Sequence, residues 1–465
     1  HWESAGEGTY DIAEAPDAPQ GTTITLHLKP VDAEDGVADY ADERVVRGIV
    51  KRYSDFITWP VRIGDDTVNS RKALWSRPQS DVTAEEYTEF YRHVSHDWQE
   101  PLETIRLSAE GTFEYQALLF LPSHAPMDLF QRGARRGVQL YVRRVFIMDD
   151  CEALVPEYLR FVKGVVDAAD LSLNVSREIL QQDRQIQLIR KRLVKKVLAT
   201  IRTMLESEPE KYATFWAGLG AAVKEGLLSD GDNRQAVLEI CSFPSTNDAD
   251  KPTTLRDYVA RMPEGQDAVY YMTGESRVAL EGSPHMEAFR AKGYEVLLLT
   301  DPVDEVWVDM VPEFDGKPLT SIAQGDVDLG GDELDDETRQ AFDGLLTWLA
   351  GTLEDEVKEV RLSHRLTTSA ACLVGDPGDP TPTLEKMYRA MGQMAPKVKR
   401  ILELNPQSPL VTGLNRAYGE RPDDEELRGV ARLVHGMALL AEGGDLAEPA
   451  AFAAALAAQL ERSLS

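Results

Sequence analysis

The first regular pattern of hydrophobic and polar positions lies near the N-terminal end. Residues 21–29 (GTTITLHLK) alternate an isoleucine and two leucines with polar side chains, which is typical of a half-buried strand. Apolar residues then recur at helical spacing from about Asp39, and residues 56–63 predict another strand. Because these three elements are too few to enclose a core, we expect residues 1–64 to be the closing part of a larger domain, followed by a polar linker over residues 64–70.

The middle of the chain alternates strand-like and helix-like patterns. We expect strands over residues 117–121, 139–147, 268–272 and 295–300, and helices over residues 157–166, about 176–206 and 284–292, the last ending at Gly293. The strand, helix and strand between residues 268 and 300 form a βαβ unit. The sequence therefore predicts an α/β region that reaches about Asp335.

An acidic stretch, residues 325–337, is typical of a loop or linker between this region and the next. Beyond it we expect a helix over residues 338–357, a strand over residues 360–366, a loop rich in Gly and Pro over residues 375–382, and three helical segments to the end. The C-terminal part is thus predicted to be mixed and mainly helical.

Composition narrows the class of protein. The chain has 465 residues, of which 43% are hydrophobic and 28% charged, as in soluble proteins of several globular domains. Its net charge of −29 disfavours binding to nucleic acid or to anionic membranes, and no apolar window is long enough to span a membrane. Three dispersed cysteines, Cys151, Cys241 and Cys372, indicate neither a disulfide framework nor a zinc site, and favour the cytoplasm. The start at His1, without Met or signal peptide, suggests a piece of a longer protein.

Motifs for common enzyme chemistry do not occur in the sequence, which has no GxSxG, HExxH, Walker A or GxGxxG pattern. His93 and His96 could share a metal, but no third ligand is arranged around them, so we interpret both as surface residues and expect no metal site. Asp149 and Asp150 follow a predicted strand, where acids are more often turn residues than catalysts.

A possible anion site lies at the start of the long helix predicted from Ser176. Ser176 suits the N-cap position, which places Arg177 in the first turn. A cation there opposes the helix dipole, and a phosphate in front of the terminus would satisfy both the guanidinium and the free amides. A surface arginine paired with a nearby acid explains the same spacing, so both readings stay open.

A second candidate is an apolar stripe that follows the loop rich in Gly and Pro. Leu384, Met387, Tyr388 and Met391 recur at helical spacing, and methionine side chains adapt to varied partners. We expect this stripe to be exposed and to contact apolar segments, although ordinary core packing explains the pattern as well.

The last two predicted helices also carry apolar faces, made of Leu427, Val430, Val434, Met437 and Leu440, and of Phe452, Leu456 and Leu460. Two helices cannot cover both faces within one protomer. We therefore expect a homodimer in which a four-helix bundle forms about a twofold axis.

Six stretches, in order along the chain, resemble the ninety-kilodalton heat-shock protein chaperone family (heat shock protein 90), in its bacterial HtpG type. The run DLSLNVSREILQ is the most specific of them. The six stretches are Trp2–Tyr10 (WESAGEGTY), Tyr141–Asp150 (YVRRVFIMDD), Tyr158–Val166 (YLRFVKGVV), Asp170–Gln181 (DLSLNVSREILQ), Glu313–Pro318 (EFDGKP) and Val360–Leu366 (VRLSHRL).

The resemblance implies an α/β and α+β protein of three domains. Residues 1–64 would be the remnant of an N-terminal GHKL-type ATPase domain, residues 65–335 an α/β middle domain, and residues 336–465 a mixed C-terminal dimerisation domain with a helical bundle interface. Thr22 is similar to the family's adenine-contacting threonine. Arg177 and Gln181 match its catalytic middle-domain pair, of which the arginine reaches the γ-phosphate of ATP.

The resemblance also implies an ATP-dependent chaperone that binds unfolded or partly folded clients as a homodimeric clamp, with possible co-chaperones. ATP with Mg would serve the intact protein, whereas this chain alone is expected to bind no cofactor and to be inactive, because most of the family's ATP pocket precedes it. Client contacts are implied at Trp307, near residues 303–314, and at the apolar stripe, with a core role for Trp307 as the alternative. A passive dimeric scaffold or adaptor, or an α/β enzyme that binds a phosphorylated small molecule at Arg177, remain the other readings.

Overall fold

The computed structural model describes residues 1–31, 37–111, 113–131, 137–171, 183–325, 335–394 and 398–464. It divides into two compact units. The first comprises residues 1–73 and 143–147, and the second comprises residues 74–142 and 148–465. Among the described residues, no helix is long and apolar enough to cross a membrane.

The first unit contains one helix and two short antiparallel ladders. Helix α1 begins after Asp42, whose carboxylate accepts a hydrogen bond from the Arg44 amide. Asn69, which is buried, ties the following loop together by bonding to the backbone at Ile57, Trp59 and Val61. The elements of this unit are β1 Trp2–Glu3, β2 Asp11–Ile12, α1 Glu43–Tyr53, β3 Arg62–Ile63 and β4 Asp66–Thr67.

In the second unit the first sheet places β9 between β6 and β7, antiparallel to β6 and parallel to β7, with β5 on the outer side of β6. Gly164 of β9 has φ +137°, and a Cβ there would lie 2.1 Å from the Leu118 carbonyl oxygen, so only glycine fits. The strands are β5 Pro101–Ala109, β6 Tyr115–Pro122, β7 Val138–Val142 and β9 Lys163–Ala168, and β8 Val145–Met148 spans the division between the units.

Two further sheets follow. The first has the order β13-β12-β15-β14, with β12 parallel to both β13 and β15. The second has the order β16-β18-β17, with β18 parallel to β16 and antiparallel to β17. The remaining strands are β10 Ser242–Phe243, β11 Thr253–Thr254, β12 Val269–Thr273, β13 Val296–Leu299, β14 Glu313–Phe314, β15 Lys317–Ser321, β16 Val357–Leu362, β17 Ala371–Val374 and β18 Arg400–Leu404.

The helices of the second unit cover the faces of these sheets, and most begin at an acidic or hydroxyl N-cap. They are α2 Ala84–Ser95, α3 Arg184–Ser207, α4 Pro209–Lys224, α5 Gly226–Ser229, α6 Arg234–Leu238, α7 Leu255–Arg261, α8 Arg277–Glu281, α9 Met286–Lys292, α10 Asp304–Met310, α11 Asp336–Thr352, α12 Pro382–Ala390, α13 Pro409–Glu420, α14 Glu425–Ala441 and α15 Pro449–Leu464. Short 3₁₀ turns lie at Leu74–Ser76, Gln79–Asp81 and Glu157–Leu159.

The structure confirms the mixed α/β class, the parallel βαβ unit of β12, α9 and β13, and the ending of α9 at Gly293 in the left-handed conformation. Several other expectations were wrong. Residues 21–29 form no strand; their Ile24, Leu26 and Leu28 side chains are exposed. Residues 64–70 contain the β3–β4 turn and a buried Asn69, so they are not a plain linker.

The helix predicted over residues 157–166 is a 3₁₀ turn followed by β9, because β6 and β7 flank this segment as partner strands. Within the described residues, the long helix α3 begins at Arg184 with Asp183 as its N-cap. The start predicted at Ser176 lies outside the described residues. The helix predicted over residues 338–357 ends at Thr352. The strands β17 and β18 were not predicted, and in the described part of the chain four helices, not three, follow the loop rich in Gly and Pro. The predicted domain bounds at residues 64 and 335, and the GHKL origin of the first segment, stay predictions.

Candidate functional site

Helix α12 carries the predicted apolar stripe. Thr381 caps it, its hydroxyl accepting a hydrogen bond from the Leu384 amide, and Pro382 occupies the first turn. No residue of the helix is fully buried: Leu384, Met387 and Tyr388 are half-buried, and Met391 at its C-cap is 61% exposed. The predicted exposure is therefore correct for Met391 and only partial for the other three.

The methionine surface extends beyond the helix. Met394, three residues after Met391, is 96% exposed. Two thioether side chains thus lie in solvent at the end of a helix whose other apolar residues rest against the protein. Such unbranched, polarisable groups can adapt to apolar partners of different shape.

A cleft of about 230 Å³ separates α12 from α10. Its apolar walls are formed by side chains that include Leu384 and Tyr388 of the stripe and Tyr271 and Val308 opposite. Three carboxylates, Glu305, Asp309 and Asp379, also line it, and none of its described lining residues is Lys, Arg or His. The polar side chains of Thr273, Ser321, Gln324 and Thr381 line it as well. The cleft thus combines apolar and polar walls with an acidic charge.

Glu305 is the residue of this cleft that sequence reasoning missed. Its side chain is 5% exposed; Oε2 accepts a hydrogen bond of 2.6 Å from Thr381, whereas Oε1 is buried without a partner. Burial raises the pKa of Glu305, and the hydroxyls of Thr381 and Thr273 offset that only in part. The sequence does carry one indication of this residue. Glu305 lies three positions before Val308, so helical spacing places its carboxylate on the same inward-facing side as that apolar residue.

Trp307 lies in the core, which is the alternative left open by the sequence. Its side chain is fully buried, its ring packs 5.4 Å from that of Phe243, and its indole N–H donates to Asp304 at 2.6 Å. A side chain without exposed surface cannot touch a client directly, so the contact predicted for Trp307 is wrong for this conformation. Its contribution here is to fix α10, the helix that carries Glu305.

A buried ion pair fixes the N-terminal end of α10. Lys224 Nζ lies 2.9 Å and 3.0 Å from the two carboxylate oxygens of Asp304 and 2.8 Å from Asp301. Burial lowers the pKa of Lys224, but Asp304 and Asp301 outweigh that effect, and the net pKa is raised. The charge on Lys224 therefore anchors the start of α10 to the end of α4.

A second cavity, of about 290 Å³, lies on the other side of α12 and is lined in part by Arg400 and Glu442. Arg400 bonds Glu385 of α12 at 2.7 Å and approaches Glu442 at 3.4 Å. Burial raises the pKa of Glu442 to about 8, with Arg400 opposing the rise. Arg400 thus ties α12 to strand β18.

The C-terminal helices expose part of the predicted apolar faces. Leu427 and Val434 belong to the core of the protomer, so their assignment to a dimer face was wrong. The exposed set comprises Met437, Leu440, Leu456, Leu460 and Leu464. Helix α15 packs on α14 where the Phe452 ring fills the space beside Gly436.

The residues predicted to contact nucleotide are Thr22, Arg177 and Gln181. Thr22 is exposed in coil, and the space around the neighbouring Gly21 is open. Ser176, Arg177 and Gln181 lie outside the described residues. Within the described ranges, no group of three or more metal-binding side chains is found, and Cys151, Cys241 and Cys372 are buried free thiols. The nucleotide roles of Thr22, Arg177 and Gln181 stay predictions.

Comparison with known proteins agrees with the sequence resemblance. The family model described as "Hsp90 protein" matches residues 63–465. Curated proteins named "Chaperone protein HtpG" are 61% identical over 484 residues in Salinispora tropica, 60% over 486 residues in Streptomyces coelicolor and 59% over 493 residues in Mycobacterium tuberculosis. Each alignment covers 100% of this chain and 76% of the relative. On these matches, the chain belongs to the Hsp90 protein family.

Proposed function

We propose that this chain is the client-binding and dimerisation part of an ATP-dependent molecular chaperone, which binds unfolded or partly folded proteins as a homodimeric clamp in the cytoplasm. The relatives named "Chaperone protein HtpG" support the chaperone role. An alternative scaffold or small-molecule enzyme has no comparable support.

The observation that carries this proposal is the surface of α12. It presents a half-buried stripe followed by two exposed methionines, Met391 and Met394, beside a cleft that is partly lined by apolar side chains. A surface of this kind binds many apolar sequences weakly, because flexible side chains repack at little energetic cost. Weak binding of many sequences is what a chaperone for unfolded clients requires.

Dimerisation is supported by the five exposed apolar side chains of α14 and α15. Exposed apolar side chains on two helices that pack together are typical of a surface that contacts another chain. In a dimer with a twofold axis, the same two helices of a second copy would cover these side chains with an identical apolar surface. ATP with Mg, the γ-phosphate contact of Arg177 with Gln181 beside it, and co-chaperones remain parts of the proposal that rest on the family alone.

The test is suppression of aggregation, measured by light scattering when a denatured model enzyme is diluted into buffer. We expect Met387→Ser combined with Met391→Ser to weaken suppression several-fold, while the melting temperature falls by no more than a few degrees. Met127→Ser is the matched control, because Met127 is fully exposed elsewhere on the unit. Unchanged suppression would contradict the proposal, and a collapse of the melting temperature would show that the stripe is core.

A further inference from the structure

The cleft between α10 and α12 carries a negative charge that no basic residue described in its lining neutralises. Glu305, Asp309 and Asp379 line one space of about 230 Å³, and no described basic residue lines it. Acids gathered on a surface are ordinarily solvated. Glu305 differs, because it is 5% exposed and one of its carboxylate oxygens has no hydrogen-bond partner.

A buried carboxylate oxygen without a donor is energetically unfavourable, typically by about 1–3 kcal/mol. Thr381, at the N-cap of α12, donates to the other oxygen only. The helix that carries Glu305 is also held in place by the ion pair of Lys224 and Asp304. A donor that enters the cleft would supply the missing partner.

The walls determine what kind of donor fits. Tyr271, Val308, Leu384 and Tyr388 give apolar and aromatic surface in the same cleft as the carboxylates. Lysine and arginine have long apolar stems and a charged head, and they lay the stem along such a surface while the head reaches a carboxylate. Small inorganic cations would gain nothing from these walls.

We propose that this cleft is a subsite for one basic side chain, lysine or arginine, of a client segment whose neighbouring apolar residues contact the α12 stripe. The inference rests on the proposed client-binding function and adds a preference of chemical class to it. Clients would then be selected for a basic residue next to apolar residues, rather than for hydrophobicity alone.

The experiment uses the full chain and two fluorescent peptides of the same apolar sequence, one with a single central lysine and one with glutamine in its place. Fluorescence anisotropy gives the dissociation constant of each. We expect the lysine peptide to bind about tenfold more tightly, because its head group forms a partly buried charge-assisted hydrogen bond. The preference should shrink in high salt.

In Glu305→Gln the amide oxygen can still accept from Thr381, so the fold should be retained while the charge is lost. The preference for lysine should then fall to about twofold or less, with the affinity for the glutamine peptide unchanged. Asp309→Asn, at an exposed position of the same cleft, should reduce the preference for lysine in part. Asp343→Asn, an equal change of charge on the exposed face of α11, is the matched control and should preserve it.

The outcomes separate the two proposals. Equal binding of both peptides to the unmodified chain overturns the basic subsite and leaves the apolar client surface standing. Failure of the chain to bind either peptide overturns both. Displacement of the lysine peptide by Ca²⁺ at constant ionic strength would show that the carboxylates bind a metal ion, and would also overturn the basic subsite.

Discussion

The buried ion pair between Lys224 and Asp304 allows a quantitative prediction about the stability of α10, the helix that lines the proposed client cleft. In Lys224→Met the apolar stem is replaced by one of similar length, but Asp304 keeps its charge. The side chain of Lys224 is 3% exposed and that of Asp304 is fully buried. Removing one partner of such a pair leaves an uncompensated buried charge, and we expect a loss of about 3–5 kcal/mol in the free energy of unfolding.

Trp307 and Asp301 still donate to Asp304 in the variant, at 2.6 Å and 3.0 Å, so the loss should lie toward the lower end of that range. For a large domain, about 3 kcal/mol corresponds to a fall of roughly 5–10 °C in melting temperature. Differential scanning calorimetry measures the melting temperature, and urea unfolding measures the free energy. Because α10 carries Glu305, the lysine preference of the cleft should fall as well.

Lys358→Met is the matched control. It is the same substitution, and Lys358 also pairs with an aspartate, Asp376, but at a position where both side chains are about half exposed. Exposed pairs contribute little, so we expect the free energy of unfolding to stay almost unchanged. In the double variant Lys224→Met with Asp304→Asn, about 1–2 kcal/mol should return, because the buried charge is gone. A loss below about 1 kcal/mol in Lys224→Met would refute the reasoning.

Three further predictions concern other parts of the chain. Met437→Glu with Leu460→Glu should convert the dimer to a monomer in sedimentation velocity without unfolding it, whereas a monomeric unmodified chain would contradict the proposed interface. Burial would raise the pKa of Glu287, but hydrogen bonds from Ser369, Thr368 and Thr367 lower it overall. The ionised carboxylate therefore stabilises the fold above the unfolded pKa of about 4.3, and this stabilisation is lost as the pH falls through the lower folded pKa. Glu287→Gln should then lower stability by about 1 kcal/mol at pH 7, and the difference from the unmodified chain should fade in acid; a difference independent of pH would refute the assignment. Calorimetric titration with ATP should show no saturable binding, because Thr22 is exposed in coil, and micromolar affinity would contradict this.

Local patterns predicted those elements whose own residues determine them. The run at Val296–Leu299 is wholly buried, and Gly293 ends α9 with a positive φ that the sequence suggests. The segment Lys163–Ala168 could not be predicted in the same way. Its valines follow apolar residues at helical spacing, but partner strands distant in sequence override that pattern. Conversely, residues 21–29 alternate as a strand should, yet have no partner strand among the described residues.

The candidate site was predictable in part for a similar reason. Spacing alone located the α12 stripe, because its side chains share one helix. Spacing could not distinguish Met391, which is exposed, from Leu384, which packs against another element. Glu305 was missed because its importance depends on Thr381, a residue 76 positions away in sequence. The role of Trp307 stayed open between a client contact and the core, because the sequence does not show that its ring packs against Phe243, 64 positions away.

The position of α12 in the β17–β18 connection has a consequence for how client range can evolve. Val374 and Ile401 are paired across β17 and β18, so the chain leaves the sheet and returns to it at one point of the ladder. The length of the segment that connects these two residues does not affect the register of the strands. Because doubling a flexible loop costs only about 0.6 kcal/mol, insertions here should be tolerated well. The helix proposed to contact clients thus lies in a connection whose length the strand pairing does not determine. Its exchange between homologues would be limited mainly by the side chains bonded to it and to its cap, Arg400 and Glu305.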